Sequence, residues 1–243
     1  MRILYQLTSP MEKTILGPAE VRRRQEFLRA RAAPGVNVEV WSLAEGPPSI
    51  ESAYEAALVV PELTRAIPRA QREGFDAVIV GCFSDPGLEA LRELVEIPVI
   101  GPGSSAVHLA AQLGTRYSVI APLGGSAGRL AARLRALGLA DAFASVRGIG
   151  MSVLDLARDR EAVLERVTEV ARTAARDDGA DVFVLGCMSM GFVGITEDVQ
   201  KRLGLPIVNP VVAALKTAEM AVAMGLSHSK AAYPLPPKLE VVR

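Results

Sequence analysis

The sequence predicts an α/β protein made of two pseudo-symmetric lobes, each a four-stranded parallel sheet flanked by helices, with a cleft between them. Two observations predict it. Short β-branched or apolar runs alternate with longer helical patterns, and crossover helices are what join parallel strands. One stretch of the chain also recurs: Asp76-Ala-Val-Ile-Val-Gly-Cys82-Phe-Ser84 matches Asp181-Val-Phe-Val-Leu-Gly-Cys187-Met-Ser189, with Asp, Gly, Cys and Ser identical.

Taken in order, the strand signals are Ile3–Leu7, Val36–Leu43, Asp76–Gly81 and Ile97–Ile100, then Tyr117–Ile120, Ala144–Ile149, Asp181–Gly186 and Pro206–Val208. Between them the helices carry their own punctuation. Pro18 opens the first helical segment, where a missing N–H costs nothing, and Pro34-Gly35 closes it. Asp85 with Pro86 reads as N-cap and first position for Leu88–Val95. Ser104 or Ser105 caps a helix ended by Gly114, and Ser126 starts one that stops near Gly138. Glu161–Arg176 places Val163, Leu164, Val167 and Val170 on one helical face. Pro210 begins a last helix running to Gly225; the tail, with Pro234, Pro236 and Pro237, is non-helical and reads as an arm that docks or frays.

The repeat extends beyond the matched stretch. Downstream of each copy lies a strand entered through Pro, Ile97-Pro98-Val99-Ile100 and Leu205-Pro206-Ile207-Val208, then another Pro (Pro102, Pro210) and an Ala-rich helix. Upstream of each come two earlier strand signals. The chain thus reads as four strands followed by four strands again. A unit found only twice is not a solenoid; it indicates two similar lobes related by a pseudo-two-fold axis.

Composition narrows the function. The 243 residues are 50% hydrophobic and 22% charged, a globular balance. Lys+Arg 27 offsets Asp+Glu 27, so the chain has no electrostatic footprint for nucleic acid or an anionic membrane. No apolar run approaches the roughly 18 residues of a membrane span, and the first residues turn polar too soon for a signal peptide. Two cysteines are too few for a disulfide framework. These features suit a cytoplasmic enzyme or binding protein acting on a small molecule; neutral charge and abundant Ala also allow a homo-oligomer.

The two cysteines fall at the same repeat position, each after an apolar strand and before a Ser. In open parallel sheets ligands bind at the carboxyl ends of strands. Facing lobes would present Cys82 and Cys187 to one cleft, with the backbone N–H groups of Phe83, Ser84, Met188 and Ser189 able to hold a thiolate or an anion. Two opposed thiols suit general acid–base chemistry in which one removes a proton from carbon and the other delivers one to the opposite face. The developing enolate needs donors aimed at its oxygen, and the Gly-Cys-x-Ser turns are positioned to supply them. The bland alternative is two buried cysteines acting as small hydrophobes. Zinc is poorly supported, since neither His108 nor His228 has ligand-like spacing to a Cys, and His108 reads as a packed mid-helix side chain. Gly101-Pro102-Gly103-Ser104-Ser105 and Gly124-Gly125-Ser126-Ala127-Gly128 fit neither a P-loop nor a dinucleotide fingerprint and read as turns before helices. No cofactor and no metal is expected.

Gly-Cys-Phe-Ser-Asp-Pro-Gly (81–87), Ile-Pro-Val-Ile-Gly (97–101), the His108 helix, Arg116-Tyr-Ser-Val-Ile120, Leu-Gly-Cys-Met-Ser-Met (185–190) and Pro48-Ser-Ile-Glu51 together resemble the aspartate/glutamate/hydantoin racemase superfamily, most of all its hydantoin and allantoin racemase branch. The resemblance covers nearly the whole chain. It implies a cofactor-independent racemase with Cys82 and Cys187 as its two bases. It implies a first lobe of residues 1–101 plus 212–243 and a second of 102–211. It places Thr8, Ser9, Pro48, Ser49, Pro122, Leu123 and Asn209 about the substrate, beside Phe83, Ser84, Met188 and Ser189.

The chain also departs from the family pattern. That branch has a first strand ending Asn-Pro-Asn-Thr-Ser, where this chain has Tyr5-Gln6-Leu7-Thr8-Ser9. Asn209-Pro210 replaces a common Asp-Pro, and Ser189 stands where Gly or Ala is frequent. Cys82-Phe83 and Cys187-Met188 lack the polar side chains with which the amino-acid racemases hold a free amino acid. An amide-like or cyclic substrate therefore fits better than aspartate or glutamate. The competing expectations are an amino-acid racemase, another cysteine-dependent isomerase or lyase, and a two-lobed binding protein without catalysis.

Overall fold

The computed structural model describes residues 1–125 and 127–238. Ser126, the expected helix start, lies outside the described residues. The chain forms two compact units, Met1–Pro102 with the segment from Ala214 onward, and Gly103–Ala213.

The first unit is built on β1 (Arg2–Leu7), β2 (Asn37–Trp41), β3 (Ala77–Gly81) and β4 (Val99–Ile100), in the spatial order β2-β1-β3-β4 with every pairing parallel. An all-parallel sheet is covered on both faces, which is why its central strands read as unbroken apolar runs. Ile3, Leu4 and Tyr5 of β1 and Val78, Ile79 and Val80 of β3 have no exposed surface. The connections are α1 (Gly17–Arg29), α2 (Ala53–Leu58), α3 (Val60–Arg72) and α4 (Leu88–Leu94). Leu63, Ile67 and Ala70 recur at helical spacing along α3 and pack with Leu4, Val78, Val80 and Leu91 into one cluster. Each such large side chain contributes about 1.5–3 kcal/mol by leaving water. Neither α2 nor α3 is foreshadowed by the strand-and-helix punctuation. Ser52 caps α2 in a reciprocal box with Glu55, while Pro61 sits in the first turn of α3 and Pro68 interrupts its apparent pattern.

The second unit repeats the scheme. After α5 (Pro102–Leu113) come β5 (Tyr117–Ala121), α6 (Ala127–Ala136), β6 (Phe143–Gly148), α7 (Arg160–Asp178), β7 (Val182–Leu185), α8 (Met188–Phe192), α9 (Thr196–Leu203) and β8 (Ile207–Val208), then α10 (Pro210–Ala223), whose residues from Ala214 belong to the first unit. The strands order as β6-β5-β7-β8, again all parallel, so the two sheets share one topology. Val163, Leu164, Val167, Ala171 and Ala174 of α7 pack on Ile120, Phe183 and Leu185 of the sheet. On the edge strand, Arg147 and Ser145 both donate to Asp178 at the end of α7, holding its carboxyl down to about 2.

Three expectations need correction. Ser104 and Ser105 lie inside α5, which begins at Pro102; proline's fixed φ suits a helix's first position. His108 is exposed rather than packed, and its Nδ1 sits 2.7 Å from the Ser104 carbonyl one turn back on the same helix. Asp85 does not cap α4. It lies in the left-handed region at φ 53°, and α4 begins only after Gly87, itself left-handed at φ 66°.

The tail docks. Beyond α10 the segment from Ser227 to Tyr233 binds β4, the edge strand, and the end of α4. Ser227 Oγ donates to the Glu96 carbonyl, and His228 Nε2 accepts the Val99 N–H at 2.9 Å. Lys230 Nζ donates to the carbonyls of Arg92, Glu93 and Val95, where helix-end oxygens lack intrahelical donors. Arg92 donates to Tyr233 Oη at 3.3 Å. The edge of the sheet is thereby partly covered, as exposed edges generally are.

Burial, and next the positive charge of Arg92, push the His228 imidazole from 6.5 down to about 4. Between those values the unfolded chain binds a proton that the folded chain does not, so stability rises with pH across that window. The contribution is complete above pH 6.5 and is lost as pH falls through about 4. Thermal melts along a pH series are expected to show the melting temperature of His228→Gln falling less steeply than that of the parent between pH 6.5 and 4.

Candidate functional site

The repeat retains four identical residues, and the fold accounts for two of them. The Asp76 carboxylate accepts the Arg2 N–H at the start of β1, at 2.7 Å. Its counterpart Asp181 accepts the N–H groups of Thr115 and Arg116 just before β5. Each Asp thus anchors the start of the neighbouring central strand, and the Thr115 hydroxyl foremost lowers the Asp181 carboxyl below its usual range. The glycines serve close packing. A Cβ on Gly81 would lie 2.7 Å from the Gln6 carbonyl oxygen and 2.9 Å from Tyr5 Cε1. A Cβ on Gly186 would lie 2.7 Å from Val119 Cγ1 and 3.1 Å from the Ile120 oxygen. The paired Cys and Ser follow those glycines, and Cys187 also packs against the apolar cluster of its unit.

Cys82 is part-buried and opens a turn immediately after β3. Its N–H donates to the Val80 carbonyl at 2.7 Å and its carbonyl accepts the Asp85 N–H at 3.1 Å. Ser84 Oγ is 3.2 Å from Cys82 Sγ, so the hydroxyl can donate to a thiolate and stabilise it. Asp85 is the only non-glycine residue with positive φ among the described residues. Pro86 disfavours the right-handed region for the residue before it, and a side chain in the left-handed region costs about 1–2 kcal/mol, less for Asp.

Cys187, also part-buried, is held differently. It is the N-cap of α8 with extended backbone, φ −154° and ψ 137°, and its carbonyl accepts the Gly191 N–H. Its side chain makes no cap hydrogen bond with the first turn of this five-residue helix. Met188 is buried and Ser189 part-buried.

The remaining predicted residues sort by unit. Thr8 and Ser9 follow β1, beside β3, the strand that precedes Cys82, and both are buried. Thr8 Oγ1 lies 3.5 Å from the Gly81 carbonyl, and the Ser9 carbonyl accepts from Leu43 N–H and Ser42 Oγ. Phe83 is part-buried and Ser84 exposed. Pro48 is exposed and Ser49 part-buried, in the loop after β2. In the other unit, Pro122 and exposed Leu123 follow β5; the Pro122 carbonyl accepts the N–H groups of Gly150 and Met151. Asn209 follows β8 and its amide is engaged throughout: Oδ1 accepts Val211 N–H, while Nδ2 donates to the Gly191 carbonyl and Thr196 Oγ1. It ties α8 to α10 beside a Gly191 whose Cβ would lie 2.6 Å from that Oδ1.

Gln6 carries no functional expectation from the sequence. It is buried at 1% exposure near the end of β1, with Nε2 donating to the Leu7 and Trp41 carbonyls and Oε1 without a hydrogen-bond partner. A polar residue inside an apolar strand was the available signal. Among the described residues no cluster of three or more His, Cys, Asp or Glu is arranged to hold a metal ion, and no helix is long and apolar enough to cross a membrane.

Two α/β units of one topology, each with a cysteine at the carboxyl end of its third strand, define a duplicated enzyme scaffold of the racemase type. The family model for Asp/Glu/hydantoin racemase matches residues 19–218, and the chain belongs to that family. It is 36% identical over 198 residues to the hydantoin racemase of Pseudomonas sp. (strain NS671), covering 81% of this chain and 79% of that one. The allantoin racemase of Pseudomonas fluorescens superposes with TM-score 0.88 at 34% identity, covering 98% of this chain and 97% of that chain. The allantoin racemase of Klebsiella pneumoniae gives TM-score 0.86 at 31% identity, covering 98% and 94%. The chain is accordingly an isomerase.

Asn209 tests whether that position braces the fold. Asn209→Ala is expected to cost about 2–4 kcal/mol in urea unfolding, combining a lost cap with buried groups left unsatisfied. Asn209→Asp, which keeps the acceptor for Val211 but loses both donors, is expected to fall between it and the parent.

Proposed function

We propose that the chain racemises a small amino-acid-derived ring or ureide, hydantoin- or allantoin-like, with Cys82 and Cys187 as the two proton-transfer groups. The observation that carries this reading is the recurrence of Gly-Cys-x-Ser at the carboxyl ends of the equivalent strands β3 and β7, in two sheets of one topology. One thiolate takes the proton from the stereogenic carbon and becomes a thiol. The other thiol gives its proton to the opposite face and becomes the thiolate, ready for the reverse turnover. Proton count is conserved and no cofactor is required.

Charge that develops on the substrate carbonyl oxygen is met by backbone N–H groups of the residues that follow the two cysteines, including those of Phe83 and Met188. Ser84 supports Cys82 in its charged form. Thr8, Ser9, Pro48, Ser49, Pro122, Leu123, Ser189 and Asn209 complete the proposed substrate surroundings. Phe83 and Met188 give apolar walls where a free amino acid would need polar side chains. The names of the relatives, hydantoin and allantoin racemases, support the same substrate class.

Polarimetry tests the proposal. The protein is expected to abolish the optical rotation of single-enantiomer 5-alkyl hydantoins or of allantoin well above the spontaneous rate, and to leave aspartate and glutamate unchanged. Cys82→Ser and Cys187→Ser are each expected to lower the rate by roughly 10²–10⁴-fold. Racemisation of free amino acids alone would overturn the substrate class, and a variant retaining the parental rate would overturn the two-thiol mechanism.

A further inference from the structure

The turn that carries Cys82 contains the one left-handed non-glycine residue among the described residues, and its side chain is seated tightly. Asp85 directs its carboxylate over Gly101, the residue after β4. A Cβ on Gly101 would lie 2.7 Å from Asp85 Cγ, 2.8 Å from its Oδ2 and 2.6 Å from Leu88 Cδ2. Two residues on, Gly87 is left-handed as well, and a Cβ there would lie 2.9 Å from Val60 Cγ1. The turn between β3 and α4 is thus pinned at two points, and Cys82 stands at its head, joined to Asp85 by the Asp85 N–H to Cys82 carbonyl bond at 3.1 Å.

A Gly at position 85 would adopt this backbone without steric cost, and Asp is tolerated there less readily. Backbone outliers persist where the surroundings over-determine them, and they cluster at functional sites. Loop formation alone does not need a carboxylate. What the carboxylate adds is a contact from the turn after β3 to the turn after the neighbouring strand β4, made possible because position 101 lacks a side chain. That contact fixes the rotation of the turn and with it the direction of Cys82.

We propose that Asp85 is a positioning residue for Cys82, its side chain wedged over Gly101 to hold the left-handed turn in the orientation that proton transfer requires. The proposal rests on the reading of Cys82 as a proton-transfer group. It separates the backbone conformation, which Gly satisfies, from the wedge, which Gly removes. Asn keeps both the shape of the wedge and the left-handed tolerance.

The test uses two readouts. Racemisation kinetics of Asp85→Asn, Asp85→Gly and Gly101→Ala are resolved into kcat and KM. The rate of Cys82 alkylation by iodoacetamide is then followed against pH with each change placed on Cys187→Ser, so that Cys82 is the single thiol. Asp85→Asn is expected to keep kcat within roughly threefold, whereas Asp85→Gly lowers it by roughly tenfold or more at little-changed KM, the scale of a small misplacement. Asp85→Gly and Gly101→Ala, which disturb the same contact from opposite sides, are both expected to displace the alkylation profile. Parental kcat and an unshifted profile in Asp85→Gly would overturn the proposal. So would an Asp85→Asn protein that melts like the parent yet is as impaired as Asp85→Gly. Alkylation needs no turnover, so a failure of the catalytic reading, seen as full racemisation by Cys82→Ser, stays separate from a failure of the positioning role.

Discussion

At the carboxyl end of the third strand in each unit, the backbone passes so close to the central strand that no side chain fits. Gly81 against Gln6 and Tyr5, and Gly186 against Val119 and Ile120, are that contact. The residue after that glycine is Cys in both units, one residue beyond β3 in the first and two beyond β7 in the second. The register follows from the same constraint: Leu7 pairs with Gly81, and Ile120 pairs with Leu185 one residue before Gly186. Asp76 and Asp181 secure the opposite end of the same strand pairs. A strand fixed at both ends delivers its cysteine at a defined point.

The two units solve the next step in different ways. After Cys82 the chain makes a left-handed turn through Asp85 and Gly87 before α4 begins; after Cys187 it enters α8 directly. The support behind each turn differs as well. In the first unit Lys230 and Arg92 connect the tail to the end of α4, and in the second Asn209 connects α8 to α10. Duplication therefore preserved the strand end and its thiol, while the surrounding brace diverged. In the proposed mechanism the two cysteines meet opposite faces of one carbanion, and unequal surroundings are compatible with that division.

Much of this was legible in the sequence. The eight strand signals, the four-plus-four repeat and the placement of both cysteines follow from apolar runs, Pro and Gly spacing, and a self-match. The helices α2 and α3 were not legible in the same way; in α3 the internal Pro68 carries the signature of a breaker although tertiary burial of Leu63, Ile67 and Ala70 sustains the helix. Asp85-Pro86 imitates a helix start, and only the left-handed Gly87 moves the true start to Leu88. Ser104 and Ser105 are good caps by composition, yet Pro102 claims the first position of α5. The engagement of Asn209 by Gly191, Thr196 and Val211 depends on contacts distant in sequence, which no local pattern encodes.

Enantiomer-resolved exchange of the α-proton in deuterium oxide tests the central claim most directly, because it reads proton abstraction without requiring inversion. Each pure enantiomer of the substrate is incubated with Cys82→Ser and with Cys187→Ser and followed by proton NMR. If each thiol serves one face, each variant exchanges one enantiomer only, and the exchanging enantiomer is opposite for the two variants. Exchange of the same enantiomer by both variants would contradict the assignment of one cysteine to each face.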